Sequence, residues 1–216
     1  MDKLSQNIMV LINHQDSLGI LVVVFFFILS RFYFRKIHFT TRMLVNVALM
    51  LAMAVILHQL RLYRMPQGGS ITCGSMLPLL LISYCYGPWV GCLGGFIYGF
   101  FNIIQDPYLL HPIQVLFDYP LPYMGLGLAA LWPAHRYAST LLAFTVRFAC
   151  HIISGVVFFA SYAPAGTSPL IYSLIFNASY LVPECVICFI LLKILPIDRF
   201  LEAMDSKSEA RITRNN

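Results

Sequence analysis

Charge is what this sequence has least of. Lys and Arg number 14 and Asp and Glu 9 among 216 residues, 11% in all, where a soluble domain carries about 25%. So few charges cannot build a water-facing helical surface, which excludes an ordinary soluble globular domain. The formal net charge of +5 does not point to nucleic acid. Its cations flank apolar runs, as membrane topology requires, and there is no basic stripe interleaved with exposed aromatics. Catalytic signatures are also missing: no H-E-x-x-H, no G-x-S-x-G and no paired carboxylates beside a nucleophile, so no enzyme class is indicated. G-x-G-x-x-G is absent, and without G-x-x-x-x-G-K-[ST] the chain has no P-loop with which to use ATP itself.

Apolar residues are abundant, at 59% with a mean hydropathy of +0.77. The class is a polytopic, all-α membrane protein. Apolar runs cover 18–34, 43–60, 71–86, 88–104, 112–132, 138–163 and 169–195. The first is short against the roughly 20 residues a spanning helix needs. It is not a signal peptide, because its basic residues follow it and no A-x-A-like site appears. Gly91, Gly94, Gly95 and Gly99 suit close helix packing, and Pro120 and Pro122 should kink the fifth run beside Asp118. The 58–70 segment, HQLRLYRMPQGGS, cannot continue a helix and is long enough to act as a lid. Six cysteines fall in or beside apolar runs, and only Cys185-x-x-Cys188 has a redox-like or metal-like spacing. With no further Cys or His close by, that pair reads as structural.

Seven spans would place Arg31, Arg35, Lys36, Arg42, Arg136, Lys193, Arg199, Lys207, Arg211 and Arg214 on one side. Lys3, Arg61 and Arg64 would lie on the other, and Arg147 within the membrane. The asymmetry predicts a cytoplasmic C-terminus and an external N-terminus. It also gathers the MPQGGS, DPY and SYAPAGTSP loops into one external mouth.

A charge at the bilayer centre costs about 2.5–3.5 kcal/mol even on a lenient scale, so membrane-embedded polar groups mark candidates. These are Asp118, Arg147, His151, Asn177 and Glu184, with His58 and His111 near the ends of runs. Arg147, His151, Gly155 and Phe159 recur every four residues and share one helical stripe. Arg147 is expected to snorkel or pair structurally, and Glu184 to satisfy Arg147 or a backbone group freed by Pro183. Asp118, His151 and Asn177 lie nearer the mouth, with Tyr119, Phe159 and Tyr172 close by. A carboxylate, aromatic faces and an amide suit a flat organic cation with a hydrogen-bonding ring.

The segments MPQGGSITCGSMLPLLL, YGPWVG, HPIQVLFDYPL and RFACHIISGVVFFASYAPAGTSPLIYSLIFN resemble the thiamine-specific substrate-binding subunits (S components) of energy-coupling-factor transporters. The resemblance implies a six-helix membrane bundle over 43–195; the apolar run at 18–34 lies outside that pattern and is expected to form an extra N-terminal transmembrane helix which, with a basic cytoplasmic linker, makes up residues 1–42. A polar cytoplasmic tail covers 196–216. It further implies a multi-pass protein of a bacterial cytoplasmic membrane that binds thiamine from outside and delivers it inward. Its partners would be a transmembrane coupling subunit and two ATPases, which alone use ATP; it implies no cofactor and no metal.

By position, the resemblance assigns ligand contacts to Tyr108, Asp118, Tyr119, His151, Gly155, Phe159, Tyr172 and Asn177. The small-xxx-small surface for the coupling subunit maps to Ala48 and Ala52. The sequence departs from the pattern where some members have Glu at Asp118, Trp at Phe159 and a Trp in the lid; this lid offers Tyr63 and Gln67. An S component or solitary carrier for another vitamin, and a thiol oxidoreductase using Cys185 and Cys188, are the alternative readings.

Overall fold

The computed structural model describes Ile37 and residues 39–204, so the expected first span at 18–34 and the tail beyond Met204 lie outside the described residues. Helix α1, Thr41–Gln59, starts where the Thr40 hydroxyl accepts the Met43 N–H at 3.2 Å, satisfying one of the free donors of the first turn. The expected irregular lid is a β-hairpin: β1, Arg61–Arg64, pairs antiparallel with β2, Ser70–Thr72. Gly68 and Gly69, at φ of 89° and 88°, make its turn, a conformation open to glycine at little cost.

The third apolar run was expected to be helical from 71. It becomes α2 only over Leu77–Tyr86, because its first residues belong to β2 and to a turn at Gly74, whose φ is 89°. Helix α3, Pro88–Gln105, presents its glycines to the next segment. A Cβ at Gly95 would strike the Tyr123 carbonyl, and one at Gly99 the Pro120 backbone. The fifth run is not one kinked helix. It divides at Tyr119 into α4, Pro112–Asp118, and α5, Pro120–Gly125, followed by a 3-10 turn over Leu126–Ala130, since Pro120 has no N–H to continue the ladder.

Helix α6, Arg136–Phe158, ends earlier than the apolar run that encodes it, leaving Phe159 as its C-cap and Ala160–Tyr162 in a 3-10 turn. Helix α7, Pro169–Ile194, runs through Pro183, and α8, Ile197–Met204, closes the described chain. Arg136 pairs with Asp198 of α8 at 2.6 Å, and Arg42 donates to the Ala203 carbonyl at 3.0 Å.

The core lies where α1, α2, the 3-10 turn, α6 and α7 meet, with Ala54, Leu80, Ile82, Leu126, Ala143 and Cys188 fully buried. Cys188 is a free thiol inside that core. Among the described residues three helical segments are long and apolar enough to cross a membrane: Thr41–Gln59, Pro133–Phe158 and Pro169–Ile194. Leu44, Leu49, Ile56, Ile175, Ile190 and Ile194 point outward, a surface that only a hydrocarbon solvent suits. The chain is a multi-pass membrane protein. Ala48 and Ala52 are exposed on the same outward side of α1.

Candidate functional site

The hairpin, α1, α3, α4, α5, α6 and α7 surround one cavity, with about 790 Å³ free of protein atoms counted out to its open mouth. Tyr108, Asp118, Tyr119, His151, Gly155, Phe159, Tyr172 and Asn177 all line it. The α6 stripe brings His151, Gly155 and Phe159 to one wall, and the break at Tyr119 turns Asp118 toward that wall.

Asp118 is held from two sides. Its Oδ2 accepts from Gln114 Nε2 at 2.5 Å, and its Oδ1 faces His151 Nδ1 at 3.4 Å. Gln114, fully buried, also donates to the Tyr108 carbonyl at 3.0 Å and accepts the Leu110 N–H at 3.0 Å. One amide thus ties the loop after α3 to the carboxylate. His151 is itself buried, and its Nε2 has no hydrogen-bond partner. Buried polar nitrogens are ordinarily hydrogen-bonded, so an imidazole that lines the cavity with one nitrogen unpartnered is a candidate ligand contact.

Other members of the set are more occupied. The Asn177 amide donates to the Ser173 carbonyl at 2.9 Å, and its Oδ1 accepts from the Tyr180 hydroxyl at 2.8 Å. What it retains for a ligand is the second lone pair of Oδ1. Tyr119 donates its hydroxyl to the Asp106 carbonyl at 2.6 Å and accepts the Tyr108 N–H at 2.8 Å, so it braces the loop. Gly155 lines the cavity where α6 touches α7, since a Cβ there would collide with the Ser173 side chain. At the aromatic end Tyr108 stacks on Phe159 with centroids 5.6 Å apart, and its hydroxyl bonds that of Tyr162 at 2.8 Å. Tyr172 tilts against Phe176 at 5.9 Å.

The hairpin is fastened by a carboxylate at each strand. Asp106 accepts from Arg61 at 2.6 Å, Arg64 at 3.0 Å and His58 at 2.9 Å. Burial alone would raise the Asp106 carboxyl, but the His58 hydrogen bond and the charges of Arg61, His58 and Arg64 outweigh it and hold it below its ordinary value. On the other strand Glu184 accepts the Thr72 N–H at 2.7 Å and the Thr72 hydroxyl at 2.6 Å. Gly69 sits against the Tyr180 ring, where a Cβ would come within 2.9 Å. Of the expected lid residues, Gln67 lines the cavity, whereas Tyr63 is exposed.

Of the two outcomes expected for Arg147, snorkelling or a structural pairing, the structure shows the second, and the partner is not Glu184, whose oxygens serve Thr72. Arg147 is buried on the cavity wall with its guanidinium 4.4 Å from the Tyr123 ring centroid and Nη1 directed at the Met76 sulfur. Asp106, Gln114 and Tyr162 support the site without being among the residues expected there. Gln114 had a signal, because it stands four residues before Asp118 on one helical face. The Asp106 cluster had none, its partners being 42 to 48 residues away.

The family profile described as "Thiamine transporter protein (Thia_YuaJ)" matches residues 44–202. The chain is 35% identical over 171 residues to the thiamine transporter ThiT of Bacillus subtilis, covering 70% of this chain and 88% of that protein. It is 26% identical over 140 residues to ThiT of Lacticaseibacillus paracasei, covering 56% and 70% respectively. Among solved structures, ThiT from Listeria monocytogenes superposes with a TM-score of 0.66 over 75% of this chain and 96% of that one, at 19% identity.

Proposed function

Since the chain belongs to the Thia_YuaJ family of thiamine transporter proteins, we propose that it binds thiamine in the cavity between the hairpin, α4, α6 and α7 and serves its transport across the membrane. The observation that carries this reading is the pairing of His151, whose Nε2 has no partner, with an Asp118 already oriented by Gln114. In this reading Asp118 answers the thiazolium charge, and Phe159 and His151 supply ring faces. Tyr172 and the free lone pair of Asn177 meet the aminopyrimidine edge, while Tyr108, Tyr119 and Gly155 shape the wall. Each cation–π contact contributes about 0.5–2 kcal/mol. Nanomolar retention needs about 12 kcal/mol, so enclosure by the fastened hairpin is part of the binding.

Lacking a P-loop, the chain would deliver its ligand as the substrate-binding subunit of an energy-coupling-factor importer. The exposed Ala48 and Ala52 on α1 would admit a helix of the coupling subunit, to which two ATPases attach. The mouth would face outward and the C-terminus the cytoplasm, in keeping with the distribution of basic residues. Calorimetric titration of the purified full-length chain with a vitamin panel tests the ligand. Saturable binding confined to thiamine and its close derivatives is expected, and tighter binding of another vitamin would refute it. Large residues at Ala48 and Ala52 should abolish co-purification with the coupling subunit while sparing thiamine affinity; unaltered co-purification would remove α1 as the docking face.

A further inference from the structure

The cavity wall carries two full charges that do not meet. Asp118 faces His151 Nδ1 at 3.4 Å. Arg147 precedes His151 by one turn of α6, about 6 Å along the axis, and is only 5% exposed. Among the described residues no carboxylate lies within ion-pair distance of Arg147, and its Nε has no hydrogen-bond partner. Glu184 is engaged by Thr72, and Asp106 by Arg61, Arg64 and His58. A guanidinium remains charged at every physiological pH, and a buried charge without a counterion is among the costliest features a fold can hold. The Tyr123 face and the Met76 sulfur offset part of that cost, while the Nε–H is left without a hydrogen-bond partner.

We propose that Arg147 is an anion subsite of the cavity, so that the occupant is dipolar: its cationic ring lies toward Asp118 and a negative group, phosphate oxygen or halide, lies on the guanidinium. The cationic half of this arrangement rests on the thiamine reading; the anionic half rests on Arg147 alone. The negative charge has two possible sources. It is carried by the ligand as a phosphate ester, or it is a free inorganic anion seated beside unphosphorylated thiamine.

The test uses the purified full-length chain, Arg147→Gln and Arg147→Lys, with ionic strength held constant by gluconate. Thiamine and thiamine monophosphate are titrated with and without chloride. Inorganic phosphate and chloride alone are also added while the melting midpoint is followed. If the ligand carries the charge, Arg147→Gln weakens the monophosphate at least tenfold more than thiamine, and Arg147→Lys restores part of the loss. If the anion is free, chloride or phosphate strengthens thiamine binding to the parent chain and to Arg147→Lys but not to Arg147→Gln. An unchanged affinity ratio together with no anion dependence overturns the proposal. If thiamine and its ester both fail to bind the parent chain, the vitamin reading falls by itself. The anion subsite then stands or falls on whether phosphate or chloride raises the melting midpoint of the parent chain. Should Arg147→Gln not fold, Arg147→Met, which also removes the charge, is titrated in its place and the same outcomes decide.

Discussion

Replacing Asp118 with Asn removes one charge and almost no volume, so its effect on thiamine binding can be worked from the local geometry. The Asp118 side chain is 18% exposed and engaged by Gln114 and His151. A hydrogen bond or close contact to a charged group contributes about 1.5–3 kcal/mol, which corresponds to roughly a tenfold to 150-fold loss of affinity. A second consequence follows from the donor inventory. To keep its oxygen toward the Gln114 amide, the new Asn must turn its NH₂ toward His151 Nδ1. That nitrogen then has to accept, and the imidazole proton moves to Nε2. The partnerless nitrogen on the cavity wall would become a donor, which places the loss at the upper end of the range. Asp118→Glu keeps the charge on a longer stem and should retain most of the affinity. Isothermal titration at pH 7 reads both variants against the parent chain, with thermal melting as a folding control. An Asp118→Asn affinity within twofold of the parent, in a folded protein, would refute this role.

Two more perturbations address the supports of the site. Asp106→Asn removes the carboxylate shared by His58, Arg61 and the exposed Arg64, a loss of charged hydrogen bonds that costs about 1.5–3 kcal/mol, and should speed hydrogen exchange and tryptic cleavage at Arg61 and Arg64; unchanged protection would show that the hairpin is held elsewhere. Because the folded Asp106 carboxyl is held below its ordinary value, its stabilisation is fully present above about pH 4. It is lost only as pH falls through the lower folded value, so hairpin protection that fades between pH 7 and 5 would contradict the cluster. Gly155→Ala drives a methyl into the Ser173 side chain and should lower stability by about 1–3 kcal/mol. Ser173→Ala in the same chain should recover part of that loss in a thermal melt.

Much of the bundle was legible because helix boundaries here are written in Pro, Gly and apolar length. The α6 stripe of His151, Gly155 and Phe159 follows from a four-residue spacing, and with the family resemblance it brought every proposed ligand contact to one cavity. Short strands gave no comparable signal. With four and three residues, β1 and β2 are too brief for alternation to show, and their pairing depends on contacts from α3 and α7. Arg61 and Arg64 read as topology charges on a loop, because Asp106 lies more than 40 residues away. The surroundings of Arg147 were hidden for a similar reason. Its burial against the Tyr123 ring and the Met76 sulfur depends on how α5, α6 and the start of α2 converge, whereas position along the apolar run distinguishes snorkelling from structural pairing poorly. The break at Tyr119 was seen only as a kink, since sequence shows that Pro120 lacks a donor but not that the chain turns there into a second helix.

The central claim is that thiamine completes the polar groups on the cavity wall, and a structure of the full-length chain saturated with thiamine tests it most directly. Ligand density is expected between Phe159, His151 and Asn177, with a ligand polar atom within hydrogen-bond distance of His151 Nε2 and the thiazolium toward Asp118. Density at another surface, or a ligand in the cavity that leaves His151 Nε2 still without a partner, would contradict it.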